Sequence, residues 1–197
     1  MVKMNYLLNT NFKVVKGENI NIETFLHSKR VAAYTKRIAQ YMNYCSKQTN
    51  TLILAALSHD IGKSRIPSNI LNKKGKLTNF EFEIIKQHAK YGADILIENK
   101  QCKDFCDIIK FHHENYDGSG YYGLCGEQIP VYSRIIRIAD VFDALTTNRP
   151  YRKAYSIASA LEIMECEKYM YDPKLFEIFI NLVNRNIKEM LISKNIS

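Results

Sequence analysis

The sequence predicts an all-α domain, on three observations. Apolar residues recur at helical spacing through most of the 197 residues. No stretch alternates apolar and polar residues long enough to make a substantial strand. Glycine- and proline-bearing segments cut the chain at intervals that suit short connections between helices. In order, residues 21–45 carry Ile22, Phe25, Leu26, Val31, Ile38 and Met42 near the helical period, with charges between them. Residues 50–59 form a short, almost wholly apolar helix expected at the centre. Residues 60–75 hold two glycines and Pro67 and read as a loop with one helical turn. Thr78 opens the next helix with Glu81 three residues on, the pattern of a capping box, and that helix runs to about residue 98. Further helices are expected over roughly 102–113, 130–146, 156–170 and 173–193. The glycine-rich loop 117–126 and the connector 148–155 separate them. Residues 1–18 are expected to form an arm or edge element, and 19–197 a single domain.

Composition narrows the function classes. No apolar run approaches the roughly 18 residues of a membrane span, and the first 16 residues lack a signal-peptide core, so the expectation is a cytoplasmic protein with no membrane partner. The five cysteines, Cys45, Cys102, Cys106, Cys125 and Cys166, form no C-x-x-C pair. Neither a disulfide framework nor a zinc ribbon is indicated, and Cys102 and Cys106, four apart and able to share a helix face, read as small buried hydrophobes. A net charge of +8 favours anionic partners or simply a solvated basic surface. With no basic run of five and no recognition-helix signature, polymeric nucleic acid is not expected.

The five histidines carry the argument through their positions: His27, His59, His88, His112 and His113. His59 precedes Asp60 where an apolar helix meets a loop, and the 112–113 pair precedes the glycine-rich loop. Glu23 and His27 share a helix face. Asp140 lies within an apolar helical frame, where an unpaired carboxylate is costly. Singly, each has an ordinary reading: a hydrogen-bonded histidine, a surface charge pair, an aspartate paired with a nearby arginine. Jointly, imidazoles and carboxylates without cysteine make a mixed N/O ligand set suited to Mn, Fe, Co, Ni or Zn. Asp60 is the natural bridge between two metals. Metals about 3.5–4 Å apart can activate a water and clamp a phosphoryl oxygen, so the chemistry indicated is hydrolysis of a phosphate ester.

HDIGK at 59–63, His27 before it, and His88, the 112–113 pair and Asp140 after it resemble the HD-GYP branch of the HD phosphohydrolase superfamily. The similarity extends over HDIGKSRIPSNILNKKGKLTNFEFEIIKQHAKYGADIL at 59–96 and HHENYDGSGYYGLCGEQIPVYSRIIRIADVFDALTTNRPYRKAYS at 112–156, and covers about residues 20–170. The resemblance implies a helical bundle around two or three divalent transition metals, with Fe, Mn, Ni and Co as candidates. It implies hydrolysis of cyclic di-GMP to the linear dinucleotide or GMP; some members act on a mixed GMP–AMP cyclic dinucleotide. Residue by residue, His27, His59, Asp60, His88, His112, His113 and Asp140 match metal-ligand positions, and Glu23 matches the extra acidic position of three-metal members. Lys63 matches the motif lysine beside the metals, where it would stabilise the oxyanion or orient a ligand, with Asp143 as its expected ion-pair partner. Arg149 and Arg152 match positions that meet substrate phosphates, a task suited to a planar guanidinium fork. Tyr121 matches a substrate-binding position.

The loop departs from the family pattern, reading Gly120-Tyr121-Tyr122 where Gly-Tyr-Pro is usual. Proline would fix φ and stiffen the loop. Because this loop is associated with substrate access and protein partners in the family, the change bears on rate, product and partner choice, and a signalling protein docking at 120–122 is the partner it implies. Within these 197 residues no sensor or receiver domain of the kind common in the family is expected. Two other readings are weighed beside the phosphodiesterase. A general HD nucleotidase accounts for the ligands but not for the glycine loop or NRPYR. A weakly catalytic cyclic-dinucleotide-binding or protein-interaction module accounts for Tyr122 but not for a complete ligand set.

Overall fold

The computed structural model describes residues 2–3, 19–20, 22–101, 103–148 and 152–194, with side chains between 22 and 185. Eight α-helices follow one another: α1 (Ile22–Tyr41), α2 (Ser46–Ser58), α3 (Ser68–Leu71), α4 (Asn79–Glu98), α5 (Lys103–Lys110), α6 (Val131–Thr146), α7 (Ile157–Cys166) and α8 (Pro173–Lys194). Short 3-10 turns lie at Ile61–Arg65, Gly126–Gln128 and Lys168–Met170. A two-residue strand β1 (Val2–Lys3) pairs antiparallel with β2 (Asn19–Ile20), Val2 opposite Ile20. The rest of the expected arm at 1–18 lies outside the described residues, as do Cys102 and Arg149. No helix among the described residues is long and apolar enough to cross a membrane.

The all-α expectation holds, and the differences are at helix ends. α1 stops at Tyr41 rather than 45 because Asn43 adopts a left-handed conformation (φ 54°), which asparagine tolerates better than most residues. The chain re-enters helix four residues earlier than expected, at Ser46. α4 opens as expected: the Glu81 amide donates to Thr78 Oγ1 (3.2 Å) and the Thr78 amide to Glu81 Oε2 (2.7 Å). α5 ends at Lys110, two residues short of His112, so the histidine pair sits in the turn beyond the helix.

One apolar core joins these helices. Val31 and Ile38 of α1, Leu52 of α2, Leu96 of α4, Ile109 of α5 and Ile135, Ile136 and Ile138 of α6 are fully or almost fully buried in it. Tyr34, Phe142 and Phe179 meet edge to face, tying α1, α6 and α8 together.

A second contact places the loop after α2 against α4. A Cβ added at Gly62 would lie 2.0 Å from the carbonyl oxygen of His88 and 2.4 Å from the Gly92 nitrogen. Backbone therefore meets backbone here, and that approach brings the 59–60 pair up to His88. Gly62→Ala, which forces main chain apart rather than a flexible side chain, is expected to cost ~3 kcal/mol. Urea unfolding measures this, and unchanged stability would show that the two backbones separate freely.

Candidate metal centre

Five helices each deliver a piece of one polar cluster. His27 projects from α1, His59 caps the C-terminus of α2, and Asp60 begins the following 3-10 turn. His88 lies midway along α4, His112 and His113 follow α5, and Asp140 and Asp143 come from α6. His27, His59, Asp60, His88, His112 and Asp143 are nearly inaccessible to solvent.

Backbone carbonyls set the histidine tautomers. His59 Nδ1 lies 2.7 Å from the Ala56 carbonyl, His88 Nδ1 2.7 Å from that of Ile85, and His112 Nδ1 2.6 Å from that of Ile109. A carbonyl oxygen only accepts, so in each ring Nδ1–H donates and Nε2 keeps its lone pair. The same device, a ring bonded to the carbonyl three residues earlier, thus aims three lone pairs inward. His88 Nε2 and His112 Nε2 stand 3.3 Å apart as two acceptors facing each other, and His113 Nε2 is 3.2 Å from His88 Nε2. His59 Nε2 and Asp60 Oδ1 are buried without a hydrogen-bond partner among the described residues. Facing lone pairs and orphaned acceptors are costly in a dry interior, and a cation between them removes the cost. The donor set therefore fits a divalent metal.

Two groups of ligand atoms form: His27, His59 and Asp60; and Asp60, His88, His112 and His113. Asp60 belongs to both, and its oxygens divide between them. Oδ1 is 3.4 Å from His88 Nε2, whereas Oδ2 is 3.4 Å from His59 Nε2 and 3.8 Å from His27 Nε2. Asp140 adjoins both groups, with Oδ1 at 3.0 Å from His27 Nε2 and Oδ2 at 3.9 Å from His113 Nδ1. Glu23, one turn before His27, is exposed and belongs to neither group.

Electrostatics match this assembly. Burial, together with neighbouring positive charge, holds His112 and His113 well below the usual histidine range, and burial lowers His59 and His88 as well. These four rings are therefore neutral and ready to ligate. Burial alone would raise Asp60 and Asp140. For Asp60, Lys63 and the histidines reverse that; for Asp140, the bond from His27 and the other imidazoles do so, and both carboxylates are held well below the usual range. His27 differs. Burial pulls it down, but the bonds to Asp140 and Asp143 and the charges of Asp140 and Asp60 outweigh this and raise it to about 9.

The expected pairing of Lys63 with Asp143 is corrected by the geometry. Lys63 Nζ donates to Asp60 Oδ2 at 2.6 Å, because residues three apart in a 3-10 turn lie on one side. Asp143 is engaged elsewhere: it accepts from His27 Nδ1 at 2.6 Å and takes a two-pronged bond from Arg30 at 2.6 and 3.0 Å. This fixes the His27 ring so that Nε2 faces Asp140 and Asp60. Arg152 donates to the carbonyls of Ala144 (2.6 Å), Leu145 (3.2 Å) and Lys153 (3.1 Å), and lies 4.4 Å over the Tyr155 ring. It thus closes the C-terminal end of α6. The Tyr121 ring packs on His113 (4.8 Å between centroids) and edge-on to His88 (6.5 Å), and the Lys86 ammonium lies 5.6 Å above it. Burial pushes its hydroxyl up to about 12.

Three contributors were not singled out in the sequence. Arg30 is one, Arg137 is another, and Glu114 is the third. Glu114 immediately follows the histidine pair, is buried, and accepts from the Tyr122 amide (2.8 Å) and the Leu124 amide (2.7 Å). Gly120 permits this, since a Cβ there would lie 2.5 Å from the Glu114 Cα. The replacement of proline gains meaning here: proline at 122 could not donate to Glu114. A metal at His27 requires a deprotonated ring, whereas the metal-free ring, raised to about 9, is protonated at neutral pH. Loading at about pH 7 is expected to release about one proton per chain from His27, falling toward none as pH passes above 9. Calorimetry in buffers of different ionisation enthalpy measures it, and a release unaltered in His27→Gln contradicts the assignment.

Residues 18–175 match the HD domain family. Over 89% of its length the chain is 36% identical to a protein of Pseudomonas aeruginosa named cyclic di-GMP phosphodiesterase, covering 43% of that protein. Over 80% of its length it is 41% identical to a protein of Vibrio cholerae named 3'3'-cGAMP-specific phosphodiesterase 3, covering 35% of it. It therefore spans less than half the length of these curated relatives. Among solved structures, an HDG"Y"P protein of Bdellovibrio bacteriovorus superposes with a TM-score of 0.68 at 21% identity, over 82% of this chain and 52% of that one, a likeness of fold. With the family matched over most of its length, and the HD and Gly-Tyr loop motifs in place, the chain belongs to the HD domain family, in its HD-GYP branch.

Proposed function

We propose that this chain is a metal-dependent phosphodiesterase that opens a cyclic dinucleotide, cyclic di-GMP first, to the linear dinucleotide or onward to GMP, and that it works in the cytoplasm. The observation that carries the reading is the division of Asp60, with one oxygen turned to each of two groups of ligand atoms. His27, His59 and Asp60 would hold one divalent ion, and Asp60, His88, His112 and His113 the other, with Asp140 beside both. Fe, Mn, Ni and Co all suit the N/O donors. Two ions are the number these groups support; a third, at Glu23, rests on the resemblance alone. When bound, such a pair supplies an activated water and neutralises charge on a phosphoryl oxygen.

The chain's own residues prepare that chemistry. Asp143, gripped by Arg30, orients His27. The carbonyls of Ala56, Ile85 and Ile109 orient His59, His88 and His112. Lys63, 2.6 Å from Asp60, would steady charge developing on the reacting phosphate. Tyr121 covers His113 from the loop side and would line the substrate's approach. Arg149 would keep the phosphate-contact role that the family resemblance implies, Arg152 would take it only on giving up its bonds to the Ala144 and Leu145 carbonyls, and the loop at 120–122 would be the place for a signalling partner.

The 41% identity to a protein named as specific for 3'3'-cGAMP supports the mixed dinucleotide as a second substrate. A binding module without turnover is the competing reading, and a general nucleotidase a weaker one. They separate on products. Wild type with metal should linearise the cyclic dinucleotide, while a receptor binds it after metal removal and never opens it. Asp60→Ala is expected to abolish turnover and lower metal content, because both groups lose their shared ligand. Product chromatography and elemental analysis measure the two effects, and full activity in this variant removes the bridging role.

A further inference from the structure

Among the described residues, most cations around the centre are already engaged. Lys63 bonds Asp60, Arg30 bonds Asp143, Arg134 bonds Asp172 at 2.6 Å, and Arg152 closes the end of α6. Lys86 bonds Glu83 at 2.6 Å and lies over Phe82 and Tyr121. Arg137 is different. It lies on α6 one turn before Asp140, so both side chains leave the same side of the helix. Its Nε donates to Asn115 Oδ1 at 2.9 Å, and no hydrogen bond among the described residues uses its two terminal amino groups. The side chain is half-buried, so those groups remain open to a ligand.

The anchor at Nε is itself held by the glycine loop. Asn115, two residues after His113, is buried and donates through Nδ2 to Ser119 Oγ (2.9 Å), which in turn donates to Asp117 Oδ1 (2.7 Å). The guanidinium is therefore pre-oriented before any ligand arrives, which lowers the ordering cost of binding. Its charge also reaches the site. It opposes the effect of burial on Tyr121, and it adds to burial and His112 in lowering His113.

We propose that Arg137 is a substrate-binding residue that takes the second, non-reacting phosphate of the cyclic dinucleotide through its terminal amino groups. One helical turn is about 5.4 Å, so Arg137 is displaced by roughly that much along α6 from the carboxylate that faces the metal ligands. A group so displaced is offset from the reacting phosphorus and suits a neighbouring phosphate in the same ring. A guanidinium fork matches two phosphate oxygens, which a lysine cannot reproduce. The inference rests on the cyclic dinucleotide reading above.

The test compares a diester with two phosphates and a diester with one. Arg137→Met, Arg137→Gln and Arg137→Lys are assayed, fully metal-loaded, on cyclic di-GMP and on bis(p-nitrophenyl) phosphate. The uncharged variants are expected to lose roughly 10–100-fold in kcat/KM on cyclic di-GMP, carried mainly by KM. Their loss on the one-phosphate probe is expected to be at least about tenfold smaller, and Lys to fall between wild type and Met. Equal losses on both substrates, or falling metal content in all three variants, overturn the anchor and make Arg137 structural. No loss on cyclic di-GMP overturns it as well. A wild type that cleaves bis(p-nitrophenyl) phosphate but leaves cyclic di-GMP intact overturns the substrate reading, and this inference with it.

Discussion

The structure depends on one repeated hydrogen bond. In His59, His88 and His112 the ring Nδ1 gives its proton to the carbonyl three residues earlier, and each Nε2 is left as a bare acceptor turned toward the others. Three acceptors gathered in a dry interior repel one another, so the arrangement persists only because the surrounding helices hold it. The core of α1, α2, α4, α5 and α6 supplies that hold through large apolar burial, the main favourable term in folding. The close approach of Gly62 to α4 then sets the distance between Asp60 and His88. Local hydrogen bonding thus chooses the direction of each candidate ligand, tertiary packing chooses their separation, and together they produce a donor set that fits a cation.

A second layer of contacts links this cluster to its covering loop. Glu114 receives two loop amides directly beside His113, Asn115 receives Arg137 and holds Ser119, and Tyr121 lies against His113. A change at residue 122 therefore bears first on the Glu114 carboxylate, next in sequence to His113, and not directly on the candidate ligand residues. In Tyr122 the lost rigidity of proline is exchanged for a backbone donor. Its half-exposed ring lies edge to face with Phe111, near the Lys110 ammonium, which holds the loop tip on its aromatic side.

Much of this was legible in the sequence because the signals are local. Helical periodicity located the helices, Thr78 and Glu81 marked the start of α4, and the histidines stood out because all five lie at helix ends or on helical faces. Helix ends were harder. Asn43 and the early end of α5 depend on single-residue conformations that periodicity does not register. Hardest were pairings across the fold. Asp143 was expected to meet Lys63, yet Arg30, 113 residues away in the chain, claims it. The partnership of Arg137 with Asn115 spans 22 residues and leaves no local pattern. Glu114 stood in plain view after the histidine pair, but nothing in one sequence says that its carboxylate turns back to clamp a loop.

The measurement that bears most directly on this account is long-range proton–nitrogen NMR on the chain with 15N-labelled histidine, before and after loading with Zn2+ as a diamagnetic probe. His59, His88 and His112 are expected to be neutral Nδ1–H tautomers without metal, with Nε2 resonances that shift on loading while Nδ1–H is retained. Protons found on Nε2 in these rings, or Nε2 resonances that ignore the metal, would contradict the idea that the fold is organised around inward-facing lone pairs.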